Sequence, residues 1–450
     1  MAQAHRSFRI NTGNDVVAAH RENHVELSLS ILRDFFGDAF ARDFSVRLWD
    51  GTCVRSSGPE QFIFRVNAPY ALRAAFMPPL DLNPGRAFVH EFIDCDGDVE
   101  AVVAAVERAS ALLPAWRMAA LALKVAMLPP EPREGDGTVA QLRGKAHTPG
   151  RDREAVGYHY DQPASFYRTF LDENLVYSCA YFSRGEAMTL DEAQIAKLDH
   201  VLTKLRVAPG DRLLDIGCGF GALAIRAAER FGASVTGITL SRTQHEEARR
   251  RVGERGLDDR VSIELRDYRE LDGRRYDKVT SVGMVEHVGR ERLNDYFRLI
   301  FKLLRPGGLF LNHGIADQSP KRTGYRAGSD FIGRYVFPDG DLVPIGQLLS
   351  SAERAGFEVR DVESLREHYA KTLRTWHERL LRNAGAAIAA SSETTLRIFN
   401  LYLAGSAHGF AAGRMNVFQS LLVKPYEDGH IDLPATRAGG PPLDGSKQIR

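Results

Sequence analysis

The stretch Leu213-Leu214-Asp215-Ile216-Gly217-Cys218-Gly219-Phe220-Gly221 joins a short apolar run to a turn that has glycine at every second position. Leu213 to Ile216 have the pattern of a buried strand, and the residues after Gly221 have helical periodicity. Glycine permits positive φ and lets the backbone approach a ligand without an intervening Cβ. Because a GxGxG turn is shared by several nucleotide-binding folds, the stretch alone indicates only an α/β fold with a ligand at a strand end.

Helices and strands alternate on both sides of this turn. Strands that alternate with helices of ten or more residues predict parallel βαβ units in a doubly wound sheet, which binds ligands beyond the carboxyl ends of its strands. The predicted elements are Leu190 to Leu205, Arg212 to Ile216, Ala222 to Phe231, Ser234 to Thr239, Thr243 to Arg255, Val261 to Leu265, Tyr276 to Val282, Leu293 to Leu304 and Gly308 to His313.

The position of Asp215 favours one cofactor over another. A dinucleotide-binding Rossmann domain has GxGxxG and an acidic residue roughly 20 residues further on, whereas in this chain the acid precedes the glycines. S-adenosylmethionine (SAM) has no pyrophosphate, and Asp215 could hold its ammonium group or a supporting water. The alternative is a generic α/β turn. We therefore predict an α/β fold of the class I SAM-dependent methyltransferase (Rossmann-like) type.

The first part of the chain has a different pattern. Helical periodicity at Val25 to Phe40 and Val99 to Leu113 flanks alternating segments at Phe44 to Leu48 and Phe62 to Val66, and Asp50-Gly51 is a turn signal. These features predict a smaller N-terminal α+β domain.

The expected boundaries follow from composition. We predict the N-terminal domain at residues 1–128, a Pro- and Gly-rich linker at 129–154, the catalytic domain at 155–425 and a loose C-terminal tail at 426–450. At 450 residues the chain is long enough for two cores, and its formal net charge of +1 gives no electrostatic argument for nucleic acid.

Cysteine usage and hydropathy bear on location. The most apolar stretch, Met118 to Leu128, is short and includes Lys124, and the N-terminus lacks the apolar run of a secretory signal. Scattered cysteines without metal-ligand spacing indicate a reducing cytoplasm and predict no metal site. They are Cys53, Cys95, Cys179 and Cys218.

Several motifs in a fixed order resemble the cyclopropane-fatty-acyl-phospholipid synthase family, which includes mycolic acid cyclopropane synthases. The likeness runs from Gly157 to Lys424. Its segments are Tyr158 to Asp161, Tyr177 to Phe182, Asp191 to Lys197, Gly237 to Gln244, Ser281 to Gly289, His313, Phe337-Pro338 and His368-Tyr369. Residues before Pro129 resemble, more loosely, the extra domain of the phospholipid-acting members, and this favours a phospholipid substrate.

The resemblance implies transfer of a one-carbon unit from SAM to the double bond of an unsaturated phospholipid acyl chain. The products would be a cyclopropane acyl chain and S-adenosylhomocysteine. Attack on the sulfonium methyl leaves positive charge on the lipid, so the site must be apolar yet supply lone pairs near the cation. A base must then remove a proton from the former methyl group, and the family implies bound bicarbonate in that role.

The same resemblance implies the catalytic residues. Glu286, next to His287, would help to hold the bicarbonate or orient His313, which ends a strand. Tyr369 would contact the ion through its hydroxyl and the cation through its ring, and Cys179 would shape the site through its backbone as much as its sulfur. Each has a purely structural alternative: a carboxylate at a helix N-terminus, a strand-end histidine, a packing tyrosine and an inert thiol.

The cofactor contacts that the resemblance implies surround the glycine turn. Cys218, within that turn, is expected to be a buried packing residue and not a reactive thiol. The contacts extend from the methionine portion through the ribose to adenine. They are Tyr177, Ser178, Asp215, Gly217, Gly219, Thr239, Leu240, Gln244, Asp267 and Tyr268.

One residue departs from the family pattern. Many members have cysteine where this chain has Ser406, so an essential thiol at that position is excluded in this protein. Related enzymes direct the same cation to methyl- or methylene-branched chains, which is the alternative product. A more remote alternative is a non-catalytic lipid-binding protein with an inherited fold.

The expected partner is an unsaturated phospholipid in a bilayer. Because the double bond lies inside a leaflet, we expect a cytoplasmic protein that associates peripherally with the inner face of the membrane. The N-terminal domain is a candidate lipid-contacting or dimerising unit, the latter in a homodimer.

Overall fold

The computed structural model describes residues 13–132, 142, 144–273, 275–318 and 329–435. The chain divides into two compact units. Of the described residues, the first unit contains 13–132 and 329–331, and the second contains the rest.

Eleven strands and sixteen α-helices are numbered in chain order within the described residues. The strands are β1 (Ser45–Leu48), β2 (Cys53–Val54), β3 (Phe62–Val66), β4 (Ile93–Gly97), β5 (Arg212–Ile216), β6 (Ser234–Thr239), β7 (Val261–Leu265), β8 (Tyr276–Val282), β9 (Leu304–Asp317), β10 (Glu358–Ser364) and β11 (Met415–Val423). The helices are α1 (Gly13–Phe36), α2 (Ala71–Phe76), α3 (Asn83–Val89), α4 (Val99–Leu112), α5 (Ala115–Ala126), α6 (Pro149–Tyr160), α7 (Ala164–Tyr167), α8 (Leu190–Lys204), α9 (Ala222–Phe231), α10 (Arg242–Glu254), α11 (Leu293–Leu303), α12 (Ser329–Phe331), α13 (Ile345–Arg354), α14 (Arg366–Arg382), α15 (Ala384–Ala390) and α16 (Glu393–Ala411).

The first unit is α+β, as predicted. Its sheet has the order β2-β1-β3-β4, in which β1 and β3 are parallel and the outer strands antiparallel. Phe44 and Phe62 stack with ring centroids 4.8 Å apart beneath α1. The predicted turn at Asp50-Gly51 is confirmed, with Gly51 at φ +93°. The first helix ends at Phe36 and not at Phe40, because Gly37 adopts a positive φ of 55°.

The second unit is built on a seven-stranded sheet with the order β10-β11-β9-β8-β5-β6-β7. The strands β9, β8, β5, β6 and β7 are parallel, but β11 runs antiparallel to both of its neighbours. The expectation of a parallel sheet is therefore wrong at β11. This strand was missed because it is buried between β9 and β10 together with its polar residues Asn416, Gln419 and Ser420, so its sequence does not alternate between apolar and polar residues.

Most predicted elements of this sheet have the observed bounds. β5, β6, β7, β8 and α9 begin and end as predicted. β9 is longer than predicted, because its pairing with β11 continues to Asp317 after its pairing with β8 has ended at His313.

The glycine turn is held against the next strand. The backbone N–H groups of Gly217 and Cys218 both donate to the Ile238 carbonyl, each at 2.9 Å. Gly217, Gly219 and Gly221 have φ values of 76°, 54° and 81°, which side-chain-bearing residues rarely adopt. The turn therefore leaves its outer edge open at the carboxyl end of β5.

Two predicted flexible segments are partly ordered. α6 begins at Pro149, inside the predicted linker 129–154. A proline suits the first turn of a helix. In addition, the Asp152 carboxylate of α6 pairs with the Arg269 guanidinium at 3.0 Å. In the predicted tail 426–450, Ile431 and Leu433 pack against the core of the second unit. Residues 133–141, 143 and 436–450 lie outside the described residues.

Among the described residues, no single helix has the length and apolar character needed to cross a bilayer. Together, α4 and α5 have the length and composition of a membrane-spanning segment, but the two helices are bent by 118° relative to each other.

We predict that Gly237→Ala disturbs the glycine turn. A Cβ on Gly237 would lie 2.9 Å from Ile263 Cδ1 and 3.0 Å from Cys218 Cβ, so the turn must shift. The expected losses are about 1–3 kcal/mol of unfolding free energy and a weaker affinity for SAM, measured by denaturant unfolding and titration calorimetry. Gly346→Ala is the control, because a Cβ there meets nothing within 4 Å. Equal SAM affinity in the two variants would contradict this prediction.

Candidate active site

A cleft with about 1110 Å³ of empty space opens at the carboxyl ends of β5, β6 and β8 in the second unit. All predicted cofactor residues except Asp267 line it: Tyr177, Ser178, Asp215, Gly217, Gly219, Thr239, Leu240, Gln244 and Tyr268. The buried carboxylate of Asp267 instead accepts two hydrogen bonds from the Arg269 guanidinium, at 2.9 and 2.6 Å, and Arg269 itself faces the cleft. The Asp267 carboxylate is therefore held by Arg269, and the predicted contact of Asp267 with the cofactor stays a prediction.

The segment after β6 forms a compact corner of the cleft. Ser241 caps the N-terminus of α10, where its Oγ accepts from the Gln244 amide at 3.1 Å. The Thr239 hydroxyl donates to Gln244 Oε1 at 2.9 Å. These bonds fix the Gln244 carboxamide so that its NH₂ group remains available to a ligand hydroxyl.

A buried lysine lies at the other end of the cleft. Lys197 Nζ donates to Ser178 Oγ at 2.8 Å, and both line the cleft with Asp215. Burial lowers the pKa of Lys197 to about 8, against the attraction of Asp172 and other nearby acidic groups. Burial likewise raises the pKa of Asp215 to about 7, and Lys197 opposes that rise. This end of the cleft therefore holds a cation and a carboxylate that titrate close to neutrality.

Lys197 ends the segment Asp191 to Lys197 that resembles the family, but no role was predicted for it. A signal existed: on α8 it shares one buried stripe with Leu190, Ala193, Leu198 and Val201. A lysine in an apolar stripe is costly to bury unless it is paired, so its position indicates a specific partner.

Glu286 lies in a short 3₁₀ turn, Val285–His287, directly after β8. Its Oε1 accepts from the Ile315 amide at 2.6 Å, and its buried Oε2 has no hydrogen-bond partner among the described residues. Burial raises the pKa of Glu286 to about 7, against the Ile315 hydrogen bond. The carboxylate is thus held at one oxygen and available at the other.

His313 lies within β9 and not at its end, which corrects the prediction. The expected Glu286–His313 contact is replaced by others, since Glu286 binds Ile315 and His313 Nδ1 is 3.2 Å from Gln419 Nε2. Its buried Nε2 has no partner in the described part of the chain. Burial lowers the pKa of His313 to about 3, with Lys197 and Lys204 adding to the effect, so the imidazole is neutral at physiological pH.

Cys179 and Tyr369 are also buried. The Cys179 thiol is 3.2 Å from the Ala180 carbonyl, and burial raises its pKa, which disfavours a nucleophilic thiolate. Burial raises the pKa of Tyr369 well above its usual value, and Tyr402, Cys179 and Glu286 add to the rise. Ser406, the departure from the family pattern, is partly buried on α16.

An aromatic cluster extends from the cleft to Tyr369. Tyr177 lines the cleft and lies 5.2 Å from the Trp376 ring, which is 6.2 Å from Tyr369. His159, at the centre, has its pKa lowered to about 3 by burial. The remaining members are Tyr160, Phe166, Tyr167, Phe170, Phe337, Phe399, Tyr402 and Phe410. Most of these rings are buried, which makes the region beside the cleft apolar, and aromatic ring faces suit a cation.

The fold and the cleft define a class I SAM-dependent methyltransferase. Residues 147–420 match the family model described as mycolic acid cyclopropane synthetase, and the chain belongs to that family. It is 43% identical over 395 residues to a probable fatty acid methyltransferase of Pseudomonas putida, an alignment that covers 87% of this chain and 94% of the relative.

Two solved structures are similar to the second part of the chain. The cyclopropane synthase MmaA2 from Mycobacterium tuberculosis is 36% identical with a TM-score of 0.58, over 60% of this chain and 98% of that one. The mycolic acid cyclopropane synthase CmaA1 complexed with SAH and CTAB is 38% identical with a TM-score of 0.57, over 60% and 97%. The protein is thus a SAM-dependent enzyme of a family that acts on unsaturated fatty acyl chains.

We predict that Lys197→Met shifts the pH dependence of SAM binding. An ionised Asp215 favours the cationic ligand, so affinity should rise as pH increases through about 7 and then level off. Because Lys197 holds the Asp215 pKa down, its removal should move this rise to higher pH and weaken binding at neutrality. Titration calorimetry across the range measures both effects. Lys302→Met, on the exposed side of α11, is the control, and an unshifted profile for Lys197→Met would refute the coupling.

Proposed function

We propose that the protein transfers the SAM methyl carbon to the double bond of an unsaturated phospholipid acyl chain and closes a cyclopropane ring. The observation that carries the proposal is a pair of buried, unpartnered atoms, Glu286 Oε2 and His313 Nε2, in a unit whose aromatic cluster adjoins the cofactor cleft. A simple methyl transfer to nitrogen or oxygen requires neither an aromatic cluster beside the cofactor cleft nor a second base.

The chemistry follows from charge balance. The alkene π electrons form a bond to the methyl carbon while the carbon–sulfur bond breaks, which leaves neutral S-adenosylhomocysteine and a cation on the lipid. The ring faces of Tyr177, Trp376 and Tyr369 offer negative electrostatic potential without a nucleophile that would capture the cation. Loss of a proton from the former methyl group then closes the ring.

Bicarbonate, when bound, would supply the base for that proton. The residues fit such an ion, because Glu286 presents one free oxygen after Ile315 fixes the other, and neutral His313 presents a free ring nitrogen. The hydroxyl of Tyr369 and the backbone around Cys179 are the further groups that we assign to this position. Each holds or orients, and none needs to form a covalent bond.

A phospholipid substrate is supported by the first unit. The alignment with the Pseudomonas relative covers 87% of the chain, so it includes more than half of the residues before 138. In contrast, cyclopropane mycolic acid synthase 1 of M. tuberculosis aligns over only 273 residues, which are 94% of its own length. An extra unit is expected where the enzyme must reach a chain inside a membrane. We therefore also propose peripheral association with the inner face of the membrane, from the cytoplasm, with a homodimer as a compatible assembly.

The second candidate is a methyl- or methylene-branched product. It is favoured by the name of the Pseudomonas relative, a probable fatty acid methyltransferase, and by Ser406, where the family pattern has a thiol. In that case the same cation undergoes a 1,2-hydride shift and loses a methyl proton to give a methylene branch, or accepts a hydride from an external hydride donor to give a methyl branch.

The test is incubation with methyl-labelled SAM and vesicles of unsaturated phospholipid, followed by mass spectrometry of the lipid. Label should enter the acyl chain with the mass of an added CH₂. A saturated methyl branch is heavier by two hydrogens and would favour the second candidate, and ozonolysis separates a ring from a methylene isomer. Tight SAM binding without transfer to any unsaturated lipid would refute both.

We predict that Glu286→Gln reduces label transfer by about 10²-fold or more, the range of a lost acid–base contribution, while SAM affinity is kept. At saturating SAM, wild-type turnover should rise as pH increases through about 7, where Glu286 ionises, and the variant should lose that rise. Removal of dissolved carbonate should slow the wild type and added bicarbonate should restore it. Glu291→Gln, an exposed carboxylate nearby, is the control. Full activity of Glu286→Gln would exclude the proposed role.

A further inference from the structure

The first unit carries an apolar surface with no cover among the described residues. Leu112 at the end of α4 is 82% exposed, and on α5 and its C-cap Trp116 is 68%, Leu123 72% and Met127 69% exposed. With exposed Ala120, the last three follow one another at spacings of four, three and four residues. Such spacing places them on one side of a helix. Large exposed apolar side chains in one stripe indicate a binding surface.

The opposite side of α5 packs against the core of the first unit. Leu121, Val125 and Leu128 are buried in the core of the first unit. A helix that is apolar on both sides is normally buried on both. The outer face therefore requires a second apolar environment.

Hydrogen bonds fix α5 to the rest of the first unit. The Arg73 guanidinium donates to the Ala126 and Leu128 carbonyls at 3.1 and 2.6 Å, which holds the C-terminal end of α5. Lys124 Nζ donates to Ser30 Oγ and Asp34 on α1, at 2.9 and 2.5 Å. The outer face is thus presented as a rigid surface.

Charge selects the kind of partner. Residues 108–130 contain no aspartate or glutamate and three basic residues, Arg108, Arg117 and Lys124, of which Lys124 is paired with Asp34 of α1. The Arg117 guanidinium lies 5.2 Å from the Trp116 ring centroid, at the edge of the apolar stripe. Tryptophan beside arginine, around a helix face without carboxylates, suits the interface between lipid tails and anionic head groups.

We infer that the outer face of α5 docks on a bilayer that contains anionic phospholipid. The stripe enters the boundary between head groups and acyl chains, and Arg117 contacts lipid phosphates. This inference rests on the proposed function, since it identifies the surface through which an enzyme of this family reaches a chain held in a membrane.

The experiment measures vesicle binding of the full chain by co-sedimentation. The vesicles are saturated phosphatidylcholine, with or without phosphatidylglycerol, so no alkene is present and binding is separated from transfer. The triple variant Trp116→Gln, Leu123→Gln, Met127→Gln should bind at least about tenfold more weakly than wild type. Arg117→Gln should lose about fivefold, and only on vesicles with phosphatidylglycerol.

Two further readouts make the result specific. Of the three tryptophans, Trp116 is well exposed, Trp49 is half-buried and Trp376 is buried, so a blue shift of tryptophan fluorescence on vesicle binding should be lost in Trp116→Gln. The control pair Leu381→Gln and Ile388→Gln, on apolar residues 40% exposed in the second unit, should bind like wild type. SAM affinity and the unfolding transition confirm that each variant is folded.

Two outcomes would overturn the inference. In one, the triple variant binds vesicles as wild type does. In the other, the triple variant changes from dimer to monomer in light scattering without loss of vesicle binding, which would make α5 a contact between copies of the chain. If α5-dependent docking is found but no lipid accepts label, the docking surface stands and the proposed function fails.

Discussion

Desolvation of ionisable groups is the constraint on which the catalytic unit depends. A reaction that places positive charge on an acyl chain needs a dry, apolar site, yet it also needs a base and a bound cationic cofactor. The structure buries many ionisable groups, and burial shifts the pKa values of three of those in or near the cleft toward neutrality. The pKa values of Asp215 and Glu286 are raised to about 7, and that of Lys197 is lowered to about 8. Each carboxylate can therefore lose its charge or gain it at little cost near physiological pH.

The fold supplies the positions of these groups. The glycine turn, fixed by two amides on the Ile238 carbonyl, places Asp215 at the cleft, and the turn after β8 places Glu286 beside β9. α14 and α16 bring Tyr369, Trp376 and Tyr402 over the same region. The cofactor side of the site is thus built from strand ends. The proposed lipid side is built from α14 and α16, which lie between β10 and β11 in the chain.

Local pattern determines how much of this was predictable. β5 to β8 and α9 were predicted with their observed bounds because apolar periodicity and glycine positions are local signals. β11 has no such signal, since it is buried between two strands and its polar residues Asn416, Gln419 and Ser420 interrupt the apolar ones without a regular period. Lys197 was missed for a similar reason: its significance depends on Ser178 and Asp215, which reach it only in the folded chain. Asp267 is the opposite case. It was predicted as a cofactor contact, but its carboxylate binds the neighbouring Arg269 and does not line the cleft.

The central claim is that a proton leaves the transferred carbon within this site. The most direct measurement uses SAM with a fully deuterated methyl group and an unsaturated phospholipid, and counts deuterium in the product lipid by mass spectrometry. If a proton leaves the transferred carbon, two of the three deuterons remain on the added carbon and the third is lost to solvent. Retention of all three, or lipid without deuterium, would contradict it.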